Sequence, residues 1–216
     1  MSAALPGHGS AEKKLRPART NATRQKLFDA SMELIGERGA AGVTMDEIAA
    51  AAGVSKGTVY YNFGSKSDLI AQLLRHGVDI LKARLLSAAG DPGGAGASGA
   101  DPLAVMEEMI GQAMDFMADY PSFARLWVSE NWRTPSVWRD TFAVLRTELL
   151  AVIGDAIESV AAVHPVDGTI SRGSLETAIF GACFVVGLDR VTYNPERSRD
   201  QSVAAIMAIM RGYVRK

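Results

Sequence analysis

Side chains able to donate hydrogen bonds to an anion crowd one stretch, residues 44–66, which reads TMDEIAAAAGVSKGTVYYNFGSK. Hydroxyl, phenol and amine groups at these positions suit phosphate oxygens, and helix starts nearby would add backbone N–H groups. The candidate donors are Thr44, Ser55, Thr58, Tyr60, Tyr61 and Lys66. A small apolar core does not account for two adjacent tyrosines beside Lys56 and Asn62, so the stretch predicts a nucleic-acid contact. A helical hairpin whose tyrosines pack on a neighbour is the alternative.

The elements that would position these donors are two short helices and a glycine-centred turn. Thr44 and Glu47 have the spacing of a capping box, and Gly53 breaks the short alanine-rich helix that follows. Ser55 can cap the next helix, to about residue 62, and Ser65-Lys-Ser-Asp68 resembles a second box. Apolar side chains spaced for a small core beneath are Ile48, Val54, Val59 and Phe63. This arrangement predicts a helix-turn-helix.

In residues 21–75 the Thr–x–x–x–Ile-Ala-x-x-Ala-Gly-Val-Ser-x-Gly-x-x-Tyr-x-x-Phe-x-x-Lys-x-x-Leu pattern resembles the DNA-binding domain of the tetracycline-repressor (TetR/AcrR) family. The resemblance implies a recognition helix in the major groove and a dimer that reads a pseudo-palindromic operator. By position, it implies phosphate contacts at Thr44, Thr58, Tyr61 and Lys66. The resemblance also implies that Lys56, Gly57, Tyr60 and Asn62 lie near base edges. Many relatives have His at the position of Asn62. Met45 could at best touch a thymine methyl.

No segment of the chain predicts a strand, and the whole sequence predicts an all-α protein of about nine helices. Residues 1–19 are predicted to be a disordered basic tail, 20–67 the DNA-binding domain, and 68–216 a ligand-binding and dimerisation domain with a mobile loop at 90–101. The first helix is expected to start at Thr20 or Asn21. Thr134-Pro135 is expected to open the long seventh helix. Six basic residues and no acidic residue fall within 13–26.

Large, soft and aromatic side chains follow the loop, and all three tryptophans lie within 127–138. Methionine suits a surface that accepts varied apolar ligands. The pattern predicts an aromatic-lined cavity for an apolar or aromatic small molecule, and an ordinary hydrophobic core is the alternative. The candidate lining residues are Met106, Met109, Ile110, Met114, Met117, Phe123, Trp127, Trp132, Trp138, Phe142 and Phe184.

The last two helices carry more apolar residues than one face needs, so residues 171–214 are predicted to form a homodimer. The chain has a single cysteine, Cys183, and its first residues lack the apolar core of a signal peptide. Both features favour the cytoplasm. No segment has the length of a membrane span, no residues have metal-ligand spacing, and no cofactor motif or nucleophile-plus-base set is evident. The leading hypothesis is a ligand-released repressor. The alternatives are an activator or architectural protein whose C-terminal domain only dimerises, and more remotely a helical enzyme.

Overall fold

The computed structural model describes residues 16–90, 100–131 and 137–215. Within these ranges the chain forms nine helices and one isolated antiparallel bridge, Val166 to Val214, which confirms the all-α prediction. In none of these ranges is a helix both long and apolar enough to cross a membrane. The helices are α1 Arg16–Arg38, α2 Met45–Ala51, α3 Lys56–Phe63, α4 Lys66–Ala89, α5 Pro102–Asp119, α6 Pro121–Asn131, α7 Arg139–Val163, α8 Arg172–Thr192 and α9 Arg199–Tyr213.

Side-chain caps start the helices of the N-terminal domain where the sequence predicts them. Thr44 caps α2, and the Glu47 carboxylate accepts the Thr44 backbone N–H at 2.8 Å, which completes the capping box. Ser55 caps α3 by accepting the Thr58 N–H at 3.1 Å. Ser65 caps α4 in the same way. Each cap satisfies a backbone N–H that the helix itself leaves without a partner.

Two helix starts differ from the sequence prediction. Helix α1 begins at Arg16 instead of Thr20 or Asn21, because Pro17 lies in the first turn, where its missing N–H costs no hydrogen bond. Residues 16–19, predicted as the end of the tail, therefore belong to α1. Residues 1–15 lie outside the described residues. Helix α7 begins at Arg139, whereas the predicted start at Thr134-Pro135 lies outside the described residues. The part of the predicted loop at 91–99 also lies outside them.

Helix α4 joins the N-terminal domain to the C-terminal helices. Its buried residues begin at Leu69 and Ile70 and continue to Leu81 and Leu85. Close approach also links α1 to α6, since a Cβ on Gly36 would lie 2.0 Å from the Ser122 hydroxyl oxygen. Movement of α4 or α6 must therefore be transmitted to the short helices α2 and α3.

Helix α7 holds α4 at two points along its length. The Trp138 indole N–H, just before α7, donates to the Ser67 carbonyl oxygen at 3.1 Å. Further along, the Glu148 carboxylate contacts Arg75 at 2.6 Å and Lys82 at 3.6 Å. The hydrogen bond from Arg75 is the main cause that lowers the pKa of Glu148. Glu148 therefore remains ionised and joins two turns of α4 to α7.

A Gly77→Ala substitution is expected to destabilise the protein by about 1–3 kcal/mol through overpacking. A Cβ at Gly77 would lie 2.3 Å from the Phe123 ring, which is fully buried and packs edge-on against Phe116. Gly212→Ala in α9 is the control, because a Cβ there meets no heavy atom within 4 Å. Alanine's helix propensity should make that variant neutral or slightly more stable. Urea denaturation measures both, and equal midpoints would contradict the packing of α4 on α6.

Candidate nucleic-acid interface and ligand cavity

Helix α3 presents its polar and aromatic residues to solvent and its apolar residues to the domain core. Tyr61 is 91% exposed and Tyr60 is 45% exposed. Val59 and Phe63, on the opposite side, are buried together with Ile48 of α2. The exposed side also carries Lys56, Gly57 and Thr58. An eight-residue helix with this exposed face has the size and chemistry to enter the major groove of B-DNA.

The hydroxyls at the starts of α2 and α3 already have partners within the protein. The Thr44 hydroxyl donates to the Glu47 carboxylate at 2.7 Å, and Arg38 pairs with Glu47 at 2.7 Å. These two interactions, the Thr44 hydrogen bond first, lower the pKa of Glu47 to about 2. The Ser55 and Thr58 hydroxyls share a hydrogen bond of 2.6 Å. The predicted phosphate donors Thr44, Ser55 and Thr58 therefore also hold the helix starts in place.

Both lysines predicted to contact DNA are held by neighbouring groups. Lys56 pairs with the Asp46 carboxylate of α2, and its amine lies 5.9 Å from the Tyr60 ring centroid. The hydrogen bond that Lys56 donates to Asp46 raises the pKa of Lys56, so the amine is charged. Lys66 donates to the Ala41 carbonyl oxygen at 3.2 Å, in the loop between α1 and α2. The Lys56 pair is exposed to water and weak, so a phosphate can displace Asp46.

The structure corrects the prediction for Met45. Its side chain is only 5% exposed and belongs to the core beneath α2, so it cannot reach a thymine methyl without unfolding that core. At Gly57 an added Cβ would meet no heavy atom within 4 Å, which leaves the surface of α3 open to close approach. The side chain of Asn62 lies outside the described residues.

The C-terminal helices enclose a cavity of about 40 Å³ between α4, α5, α7 and α8. A water molecule needs about 10–15 Å³ measured in this way, so the cavity holds only a few atoms in this conformation. Its walls are apolar apart from one thiol, and burial raises the pKa of that thiol, Cys183, to about 12. The lining residues are Leu81, Leu85, Met106, Met109, Ile110, Ala113, Met117, Leu149, Ile153, Ile179, Phe180, Cys183 and Phe184.

The comparison with known families fits the geometry of α1 to α4. Residues 27–73 match the family model described as "Bacterial regulatory proteins, tetR family". Over these residues the chain is similar to the TetR family of regulators. The HTH-type transcriptional regulator AcrR of Shigella flexneri is 39% identical to it over 51 residues, which are 24% of this chain and 24% of AcrR. The match therefore spans about a quarter of AcrR's length, and the curated relatives that follow are also matched over half of their length or less.

Two solved structures resemble most of this chain in fold. The fatty acid degradation regulator FadR from Bacillus halodurans has a TM-score of 0.76 and 18% identity, covering 93% of this chain and 97% of that one. FadR from Bacillus subtilis in complex with stearoyl-CoA has a TM-score of 0.72 and 17% identity, covering 87% and 98%. At this identity the likeness concerns the fold alone.

Five of the residues predicted to line a ligand site lie in the wall of this cavity: Met106, Met109, Ile110, Met117 and Phe184. Neither described tryptophan, Trp127 or Trp138, lines this cavity, whose aromatic residues are Phe180 and Phe184. Trp127 is buried in a packed cluster, stacked on Phe184 at 5.5 Å and edge-on to Phe142 at 4.9 Å. Also absent from the cavity wall are Met114, Phe123 and Trp138, whereas Trp132 lies outside the described residues.

Apart from Phe184, sequence reasoning missed the residues that α4, α7 and α8 contribute to the cavity wall, and it also missed Ala113 of α5. Leu81 and Leu85 recur at helical spacing in α4, as core residues do, so composition alone gives no sign of a cavity beside them. The other missed residues are Leu149, Ile153, Ile179, Phe180 and Cys183. The only available signal was that α4 keeps an apolar stripe far beyond the helix-turn-helix.

Proposed function

We propose that this chain is a transcriptional repressor that binds a pseudo-palindromic DNA operator as a homodimer and leaves it when an apolar small molecule enters the cavity. The observation that carries the proposal is the outward face of α3, where Tyr61 is almost fully exposed and Gly57 leaves open space. An exposed tyrosine of this kind has no packing role, and its hydroxyl suits a phosphate oxygen. The proposal places the protein in the cytoplasm, with the DNA.

Charge supports the DNA-binding half of the proposal. Residues 1–76 carry ten Lys or Arg and seven Asp or Glu, whereas the whole chain has a net charge of −1. The basic excess lies in residues 1–19, just before the DNA-binding domain, because residues 20–67 carry five basic and five acidic residues. Since phosphate contacts supply most of the non-specific affinity for DNA, this distribution favours phosphate contacts from the basic residues next to the DNA-binding domain.

Helix α4 supplies the route by which a ligand would change DNA affinity. Leu81 and Leu85 form part of the cavity wall, and the same helix starts at Lys66, three residues after α3 ends. A ligand larger than the present cavity can move α4 away from α7, which would strain the Glu148 pairs with Arg75 and Lys82. The ligand then favours a second conformation of the dimer, and a coupling of about 1–3 kcal/mol changes operator affinity about 5–150-fold.

A second candidate function is an activator or architectural protein whose C-terminal domain only dimerises. The small volume of the cavity favours it, because ligand pockets usually measure about 300–1,000 Å³. Four methionines on α5 favour the sensor instead, since their flexible side chains can rearrange around a ligand. Binding of an apolar molecule to the purified dimer separates the two candidates.

The experiment that tests the proposal is selection of bound DNA from a random pool by the full-length protein. We expect an inverted repeat whose half-sites lie about one helical turn apart, and an affinity that falls steeply with added salt. Compounds are then screened for release of the selected DNA in an electrophoretic shift assay. Recovery of unrelated sequences without symmetry would overturn the operator half of the proposal.

Tyr61→Ala is expected to weaken operator binding about tenfold without a change in thermal stability, because the side chain makes little contact within the protein. Tyr61→Phe should retain part of the affinity if the ring packs on the DNA sugar and the hydroxyl binds phosphate. Fluorescence anisotropy with the selected operator measures both variants. Normal affinity in Tyr61→Ala would mean that this face of α3 does not contact DNA.

A further inference from the structure

Two consecutive acidic residues lie in the first turn of α2, and the structure gives them different roles. Glu47 is held within the protein, because it accepts hydrogen bonds from Thr44 and from Arg38. Asp46 takes no part in that capping box and is exposed. Its only hydrogen-bond partner among the described residues is Lys56. The fold therefore accounts for Glu47 and gives Asp46 no comparable role.

The pair of Asp46 and Lys56 joins α2 to α3 across the turn of the helix-turn-helix. Lys56 is the first residue of α3, and its ammonium donates to the Asp46 carboxylate. Both side chains stay open to solvent, with exposed fractions of 47% for Asp46 and 63% for Lys56. The open space at Gly57 lets another molecule approach the pair closely. A donor and an acceptor are thus fixed side by side next to the exposed face of α3.

The hydrogen-bonding capacity of this pair is only partly used. An ammonium group has three N–H donors, so Lys56 keeps two after its bond to Asp46. A carboxylate only accepts, and one of the two Asp46 oxygens holds Lys56. The pair therefore presents two free donors beside a free acceptor, and its net charge is zero.

The edges of base pairs in the major groove carry the complementary pattern. In each base pair an amino donor lies within hydrogen-bond distance of a keto acceptor, as the Lys56 ammonium does of the Asp46 carboxylate. A G·C pair presents two acceptors, O6 and N7 of guanine, beside the N4 amino donor of cytosine. An A·T pair presents the single acceptor O4 of thymine with a methyl group next to it. Two donors and one acceptor therefore match G·C better than A·T.

We propose that Asp46 and Lys56 act as one unit that reads a G·C base pair in each half-site, with Lys56 donating to guanine O6 and N7 and Asp46 accepting from cytosine N4. This inference rests on the proposed function and names a base pair that its operator contains. Because Lys56 cancels its charge, Asp46 approaches the bases without the repulsion that an unpaired carboxylate meets there. The pair is weak in water, but a groove that excludes water strengthens it.

The test uses the operator selected by the full-length protein, together with duplexes in which each G·C pair of one half-site is changed in turn to A·T. Fluorescence anisotropy gives the affinity of the parent protein, Asp46→Ala and Lys56→Met for each duplex. At one position the parent should discriminate against A·T about tenfold or more, and both variants should lower that ratio to less than about threefold. The ratios at the other G·C positions should not change.

Asp68→Ala is the matched control for the loss of a negative charge. Asp68 is also exposed in the first turn of a helix of this domain, but its side chain accepts from the Ser65 hydroxyl and has no lysine partner. The cap of α4 uses the Asp68 backbone N–H, so it survives the change. If Asp46 only repels DNA, both alanine variants should bind every duplex more tightly with unchanged base preference. That result would overturn the proposal.

The double variant Asp46→Ala/Lys56→Met separates base reading from a phosphate contact. It removes a pair whose charges cancel, so its affinity should depend on salt as the parent's does. Its discrimination should fall no further than in either single variant, because the two side chains act together. A Lys56 that binds phosphate instead gives uniform weakening of every duplex in Lys56→Met and a salt slope smaller by about one. Uniform weakening would overturn the proposal.

Failure of the proposed function gives a different result. A parent protein that selects no inverted repeat contradicts the operator, and the base reading falls with it. A selected operator without a G·C pair, or with G·C positions that respond to neither Asp46→Ala nor Lys56→Met, contradicts the base reading alone.

Discussion

A Gly57→Glu variant is expected to fold at least as stably as the parent protein and to bind its operator at least about a hundredfold more weakly. Gly57 is the second residue of α3, and a side chain there meets no protein atom within 4 Å. Replacing glycine in a helix gains up to about 1 kcal/mol, and a carboxylate in the first turn gains a further 0.3–1 kcal/mol or so. On DNA the same carboxylate would enter the negatively charged major groove in both half-sites, and like charges brought together cost several kcal/mol.

The matched control for this variant is Gly173→Glu. Gly173 is also the second residue of a helix capped by a serine, Ser171 before α8, and it too has open space at its Cβ position. The gain in stability should be similar. Operator affinity should not change, because Gly173 lies more than a helical turn before Ala178 and Gly181, the part of α8 expected at the dimer interface. Thermal melting and anisotropy measure the two effects. Retained operator binding in Gly57→Glu would show that α3 is not the helix that enters the groove.

The helix boundaries of the N-terminal domain follow from the sequence because caps are local. Thr44 with Glu47, and Ser55 with Thr58, involve residues three apart, so their hydrogen bonds depend little on the rest of the fold. The core residues Ile48, Val59 and Phe63 are likewise predictable, since helical spacing places them on one side. The start of α1 was missed because Pro17 permits a first helical turn as readily as it ends one.

Contacts between helices could not be predicted in the same way. The burial of Met45 depends on the orientation of α2 against α1. The spacing of residues within α2 does not predict that orientation. The pairing of Lys56 with Asp46 joins residues ten apart across the turn. The cavity depends on how four helices pack, and a packed cluster around Trp127 has the same composition as a pocket wall. Composition distinguishes apolar from polar surfaces, but only packing distinguishes filled from empty space.

The outer faces of α8 and α9 leave small and apolar side chains in solvent. Ala178 and Val185 of α8 are exposed, and a Cβ on Gly181 between them would meet no atom within 4 Å. Ala205 and Ala208 continue such a surface on α9. Two helices from each of two copies can pack closely through residues of this size, as a four-helix bundle about a two-fold axis. This surface is where we expect the homodimer predicted for residues 171–214 to form.

Val185→Glu is expected to produce a monomer at micromolar concentration and to lower operator affinity about 100-fold or more. Burying two unpaired carboxylates at a two-fold interface is costly, and a monomer loses the effective concentration that joins two half-sites. Val163→Glu, at the end of α7, is the matched control, because both valines are 64% exposed and a glutamate is tolerated by the monomer at either position. Sedimentation velocity should show a dimer for the parent and for Val163→Glu. A dimeric Val185→Glu would move the interface away from α8, and the spacing of the two recognition helices would then have to be set by another surface.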